Sequence, residues 1–177
     1  MRMFSLLPLI AVGLFGSGCS SSDTRPLPRA PSVDVPRFMG DWYVIANIPT
    51  WPERAAFNAV ETYSLREDGR IATRFRYRHG SFEAPVNTMH PIGTVRPGTG
   101  NAVWGMQFIW PIQAEYVIAY LDDAYQTTII GRSKRDYVWI MARVPCLSDD
   151  AYAQLAGRVA ALGYTEPLRK VPQRCDR

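Results

Sequence analysis

From residue 70 to residue 78 the chain keeps two ledgers. Arg70, Arg74, Arg76 and Arg78 fall on one parity, and Ile71, Thr73, Phe75 and Tyr77 on the other. A period of two is the signature of a strand with a wet, basic face and a buried, apolar one. The same period governs most of the chain. Residues 61–66 read as a strand, and Glu67-Asp68-Gly69 after them is a turn signal. Further strand-like runs cover 86–95, 102–109, 115–121, 126–132 and 137–143. Turn-forming stretches separate them: Pro97-Gly98-Thr99-Gly100-Asn101, Trp110-Pro111-Ile112, Asp122-Asp123 and Ser133-Lys134-Arg135. With the opening run Gly40 to Ile48 this makes eight short strands and no crossover helix. An all-β antiparallel meander follows, and eight strands close into an up-and-down barrel. Closure removes the unpaired edges of an open sheet.

A chain of 177 residues, 47% of them apolar, has the material for one globular domain. A net charge of +4 is too mild to argue for nucleic acid as a partner. The first residues stand apart in composition. Met1-Arg2-Met3 carries a positive charge, and 4–15 is an apolar run too short to span a bilayer. We read 1–18 as a signal peptide. The small residues Gly16-Ser17-Gly18 before Cys19 resemble a bacterial lipoprotein signal, which implies lipidation of Cys19. The residue after Cys19 is not Asp, a pattern resembling an outer-membrane address; a soluble periplasmic or secreted protein is the alternative. From Ser20 to Pro36 four prolines and few large apolar residues read as a Pro-rich tether over 19–36, extended and semi-stiff. The barrel domain then occupies 37–177.

A single helix follows the strands. Ser148 is its cap, Asp149 and Asp150 suit the first turn, and Tyr152, Leu155, Val159 and Leu162 form one face before Gly163. One apolar stripe places this C-terminal helix against the outside of the barrel. Residues 166–171 read as a short final strand.

In a meander the strand ends alternate between two rims. If Trp42 marks the bottom, the loops at 68–69, 97–101 and 122–125 lie there too, and the last strand delivers Arg143 beside Trp42. A guanidinium over an indole face closes that end by a cation–π contact of about 1 kcal/mol. Trp51 then belongs to the open mouth.

These residues carry a family likeness. Gly40-Asp41-Trp42 resembles the Gly-x-Trp signature of the lipocalins, Asp122-Asp123-Ala124-Tyr125 lies where that family keeps its Asp-Tyr-type motif, and Arg143 lies at its third motif. The resemblance runs from about residue 36 to residue 171. Within the family, 63–69 and 135–140 look like the bacterial outer-membrane lipocalins related to apolipoprotein D. The likeness implies a structural role for Gly40, Trp42 and Arg143, and a barrel that carries a small apolar molecule.

By parity, the residues lining such a cavity are Phe75, Tyr77, Trp104, Met106, Phe108, Tyr116, Ile118 and Trp139, with packed core as the competing role for each. Trp139, Met141 and Trp42 are expected near the bottom, Phe108 and Tyr116 nearer the mouth. Arg132, Lys134 and Arg135, with Arg78 and His79 nearby, suggest a collar for an anionic head group; the plainer reading is a solvated charged turn. Trp51, Phe82 and Trp110 at the same rim suit a membrane interface. With Cys19 set aside, Cys146 and Cys175 are an even pair in an oxidising compartment and are expected to form a disulfide.

Little in the chain speaks for catalysis. His79 and His90 are its only histidines, and it contains no Gly-x-Ser-x-Gly, metal-spaced cluster or Gly-rich phosphate loop. The expected function is therefore lipid binding: an outer-membrane-anchored carrier or store of a fatty acid such as palmitate, or of a lysophospholipid, in envelope maintenance or stress. No cofactor and no metal is expected. The membrane is a partner through the lipid anchor, and a homodimer is compatible with this reading. The alternatives are an envelope scaffold whose barrel is filled solid and a lipid-modifying enzyme.

Overall fold

The computed structural model describes residues 25–175. The signal peptide and Cys19 lie outside the described residues, as does the start of the tether. The strands are β1 Gly40–Ile48, β2 Ala56–Leu65, β3 Ile71–His79, β4 Val86–Met89, β5 Ile92–Val95, β6 Val103–Ile109, β7 Ile112–Leu121, β8 Thr127–Gly131, β9 Val138–Ala142 and β10 Arg169–Lys170. They form an antiparallel barrel in the order β1-β2-β3-β5-β6-β7-β8-β9, and the β1–β9 pairing, with Tyr43 opposite Ala142 and Ile48 opposite Val138, closes it.

The run at 86–95 is not one strand. His90 and Pro91 interrupt it, since a proline has no N–H to give a ladder. β4 pairs with the upper part of β3, Phe75 to Arg78, and β5 with its lower end, Ile71 and Ala72. The two pieces share one stave, so the barrel keeps eight. β10 is the other addition: it pairs with β1 at Ala46 and Asn47, above the point where β2 leaves off. A bulge in β2, with Asn58 at φ 46°, turns that strand away and makes the room.

The alternation in β3 is as the sequence dictates. Ile71, Thr73, Phe75 and Tyr77 are buried and Arg74 is exposed. Among the described residues two α-helices join the strands, a short α1 Val35–Phe38 and the longer α2 Asp149–Ala161. Ser148 caps α2 by accepting the Ala151 N–H at 3.2 Å. Leu155 and Val159 are buried against the outer face of the barrel, with Tyr152 and Leu162 partly buried beside them, and the Arg158 guanidinium lies 4.3 Å from the Tyr120 ring centre. Cys146 and Cys175 are bonded, with their Cα atoms 5.7 Å apart, tying the start of α2 to the chain beyond β10.

The described part of the expected tether is not a free spacer. Residues 25–34 run down the outside of the barrel. The Leu27 N–H donates to Ser133 Oγ in the β8–β9 loop, Ala30 N–H to the Ile118 carbonyl, and Val33 N–H to the Gly100 carbonyl. Leu27, Ala30 and Val33 are buried. Every third residue is thus a small anchor between prolines, and the barrel wall supplies the apolar surface that the segment lacks by itself. The segment then enters α1, whose Phe38 is fully buried under the barrel floor.

Candidate functional site

The bottom is shut by aromatic packing. Phe38 lies 4.9 Å from Trp42, 5.4 Å from Trp104 and 5.6 Å from Tyr63, ring centre to ring centre. Trp42 Nε1 donates to the Phe38 carbonyl and Trp104 Nε1 to the Asn101 carbonyl, so neither indole buries an orphan donor. Below them Arg143 covers Trp42 at 3.9 Å. Its guanidinium donates to the carbonyls of Asp41, Arg37 and Phe38. Gly40, at φ +95°, faces this group: a Cβ there would stand 3.3 Å from Arg143 Nη1. The Gly40, Trp42 and Arg143 constellation is therefore a structural closure.

Above this floor a cavity of about 200 Å³ opens toward the mouth. Of the residues that parity nominates, Phe75, Met106, Phe108, Tyr116 and Trp139 line it. Trp104 and Ile118 do not; both are fully buried in the core beneath, with Trp104 stacked on Tyr116 at 5.2 Å. Tyr77 is likewise core, stacked on Phe75 at 5.0 Å. Two expected depths are reversed. Trp139 sits toward the mouth, because its stave descends from the β8–β9 loop, and its Nε1 donates to Glu53 at 2.7 Å. Tyr116 sits on the cavity floor, its hydroxyl 2.6 Å from that of Tyr63. Phe108 is at the rim and more than half exposed.

The basic collar shrinks to one residue. Arg132 lines the cavity and pairs with Asp136 at 3.1 Å. Arg135 turns outward, donating to the carbonyls of Leu162 and Arg25. Arg78 bonds the Ala84 carbonyl, and Lys134 is exposed; neither belongs to the cavity wall. Phe82 also leaves the rim set, packing edge-on against Phe57 at 5.1 Å beneath Arg174.

Parity reasoning missed the polar members of the wall. Glu53, Glu61 and Glu115 all line it. Glu53 is buried on the 3-10 turn Trp51–Glu53, bonded to the Thr50 hydroxyl and N–H. Glu61 lies one inward position from Tyr63, whose hydroxyl bonds its carboxylate. Its shared parity with the buried Ala59 and Tyr63 was the available signal. Though part of its surface meets the cavity, the protein around Glu61 excludes most solvent. Desolvation, and then the charge of nearby Glu53, push its pKa up to about 8. Burial likewise raises Glu53, against the hydrogen bonds from Thr50 and Trp139, and raises the Tyr116 hydroxyl. Glu115 is held at the mouth by the Ser133 N–H at 2.7 Å and hydroxyl at 3.0 Å. Neither His79 nor His90 lines the cavity, and no cluster of metal-ligating side chains occurs among the described residues.

A closed, floored barrel with one opening and this signature at its base has a defined kinship. A model of the lipocalin-like domain matches residues 33–173. The chain belongs to the lipocalin-like family. This lipocalin is similar to temperature-induced lipocalin-1 of Arabidopsis thaliana, 29% identical over 165 residues and 86% of each chain. It is also similar to outer membrane lipoprotein Blc of Escherichia coli strain K12, 26% identical over 168 residues and 93% of each chain. To apolipoprotein D of Bos taurus it is 29% identical over 161 residues, 85% of this chain and 83% of that one. Among solved structures, the cockroach allergen Per a 4 superposes with a TM-score of 0.63 at 17% identity, over 83% of this chain and 92% of that one. Insecticyanin of the tobacco hornworm Manduca sexta does so with a TM-score of 0.63 at 12% identity, over 82% of each. These two likenesses establish the fold of the lipocalin and nothing further. No helix of its described residues is long and apolar enough to cross a membrane.

Proposed function

We propose that this lipocalin is an envelope lipoprotein that carries one single-chain lipid, a fatty acid or lysophospholipid, with Cys19 as the acylated residue and the outer membrane as its site. The observation that carries the reading is the cavity: apolar walls of Phe75, Met89, Met106 and Phe108 above a sealed floor, with one way in. At about 200 Å³ it lies below the usual range of ligand pockets, which leaves room for one slender chain and not two. Each buried methylene contributes about 0.8 kcal/mol, so affinity rises with chain length until the floor is reached. The relative whose name describes an outer membrane lipoprotein, similar over 93% of this chain, supports the location.

Binding, not catalysis, is the role this geometry favours: the hydroxyl–carboxylate pair in the wall, Thr50 with Glu53, serves as the capping box of the 3-10 turn, with the Thr50 N–H and Trp139 Nε1 also donating to Glu53. Arg132 is the basic group positioned to meet a phosphate or carboxylate at the mouth. The test is displacement of a fluorescent fatty acid from delipidated protein by lipids of graded length. Met106→Arg puts a charge where the chain must lie and is expected to abolish displacement. Absence of binding at every chain length by the folded protein overturns the carrier reading in favour of a scaffold.

A further inference from the structure

The mouth of the barrel presents the largest apolar side chains that the fold leaves in solvent. Trp51 is 78% exposed on the β1–β2 loop, and Ile109, Trp110 and Ile112 are 72%, 83% and 70% exposed at the tip of the β6–β7 hairpin. Neither tryptophan lines the cavity. Two separate loops thus raise apolar tips at the same rim, while Trp42 and Trp104, elsewhere in the barrel, are fully buried. Exposed Arg54 and Lys134 stand on the mouth loops of the same rim. Exposed indoles and exposed cations on one rim match the interfacial zone of a bilayer with anionic lipids.

The docked N-terminal segment adds a direction. It reaches the barrel at the mouth, not at the bottom: the Arg25 carbonyl accepts from Arg135 Nη1 at 2.8 Å, and Leu27 N–H donates to Ser133 in the same β8–β9 loop. Only then does it descend to Gly100 and Phe38. Cys19 precedes Arg25 by six residues, and six residues reach at most about 20 Å. Ten-residue staves, tilted as barrel strands are, separate rim from floor by about 25 Å. An anchor on Cys19 therefore holds the rim toward the membrane and leaves the floor facing away.

We propose that the open mouth is a membrane-docking face, seated on a phospholipid bilayer through Trp51, Ile109, Trp110 and Ile112, so that a lipid passes between bilayer and cavity without crossing water. The direction of tethering rests on the acylated Cys19 proposed above; the apolar rim does not. The experiment separates the two by using residues 19–177 with Cys19→Ser, which carry neither the apolar run at 4–15 nor an acyl anchor, on vesicles of phosphatidylethanolamine and phosphatidylglycerol whose acyl chains are brominated near the head group. The expected result is co-flotation with the vesicles and quenching of tryptophan emission. Trp51→Ser with Trp110→Ser is expected to lower partitioning about tenfold or more. Near-UV circular dichroism confirms that this double variant is folded, as both side chains stand in solvent. The anchored wild-type chain in the same vesicles is expected to be quenched as well. Equal quenching of wild type and double variant overturns the proposal, as does failure of the Cys19→Ser chain to float. A dimer in sedimentation velocity that the double variant dissolves also overturns it, since the rim then serves a second copy. Carrier activity is read by lipid displacement in solution and stands or falls separately.

Discussion

Arg143 at the end of the last barrel stave lies 3.9 Å from the ring of Trp42 at the start of the first. The contact joins the two strands whose pairing closes the barrel, and the guanidinium donates to the Arg37 and Phe38 carbonyls of α1, to Asp41 in β1 and to Tyr125 in the β7–β8 loop. One side chain therefore ties α1, β1 and the end of β9 together.

Arg143→Ala removes the stacking and the hydrogen bonds to the Asp41 and Arg37 carbonyls, and leaves the Phe38 carbonyl only its bond from Trp42 Nε1. Stability is expected to fall by roughly 1–3 kcal/mol, measured by urea unfolding, with lipid affinity at the far mouth little changed. Arg143→Lys keeps the charge, loses the planar fork, and is expected to recover only part of the loss.

Glu61 gives stability a pH dependence of unusual sign for a carboxylate. Its pKa is about 8 in the folded chain against an ordinary 4.5, so the fold favours the protonated form. The contribution of Glu61 to stability is then fully present below pH 4.5 and is lost as pH rises through 8. The groups facing it are Glu53, whose own pKa is raised, and the hydroxyls of Tyr63 and Tyr116. Glu61→Gln is expected to be more stable than wild type at pH 8 by on the order of 3 kcal/mol, with the difference shrinking toward pH 5. Unfolding curves at four pH values between 5 and 8 check it; parallel behaviour of the two proteins contradicts it.

The disulfide between Cys146 and Cys175 closes a loop with a sequence separation of 29. Replacing both residues by Ser is expected to cost about 3–4 kcal/mol by the chain-entropy relation. Because the bond lies outside the barrel, the loss is expected in unfolding free energy, with chain-length preference for lipids unchanged.

The docked segment makes a prediction that a free tether does not. A Cβ at Gly100, which stands at φ +61°, would lie 2.2 Å from the Pro31 carbonyl oxygen. Gly100→Ala is expected to push the segment off, and Val33→Asp to destabilise the fold by about 2–4 kcal/mol, as a charge has no partner at a site only 1% exposed. Faster proteolysis between residues 25 and 34 in both variants is the direct readout.

The architecture was legible because it is written in short-range pattern. Alternation in β3 follows from Ile71, Thr73, Phe75 and Tyr77 alone, the stripe of α2 from Leu155 and Val159, and the floor from Trp42 and the parity of Arg143. Each of these compares a residue with neighbours a few places along the chain, and the pleat or the helical turn converts that spacing directly into a face. Parity decides inside from outside, but it says nothing of depth.

Depth was decided by the tertiary structure. Trp104 and Met106 share a parity, yet Trp104 is core and Met106 is cavity wall, because Phe38 arrives from α1 to fill the space beside Trp104. Leu27, Ala30 and Val33 sit among prolines with no period of their own, and only the assembled outer wall offers them burial. Glu61 is a wall residue whose protonation depends on Glu53 and on the exclusion of water by staves remote in sequence. Spacing along the chain fixes which way a side chain points; what it meets there is set by segments that the fold brings from elsewhere, and so the sealed floor could be read from the residues while the cavity above it had to be seen.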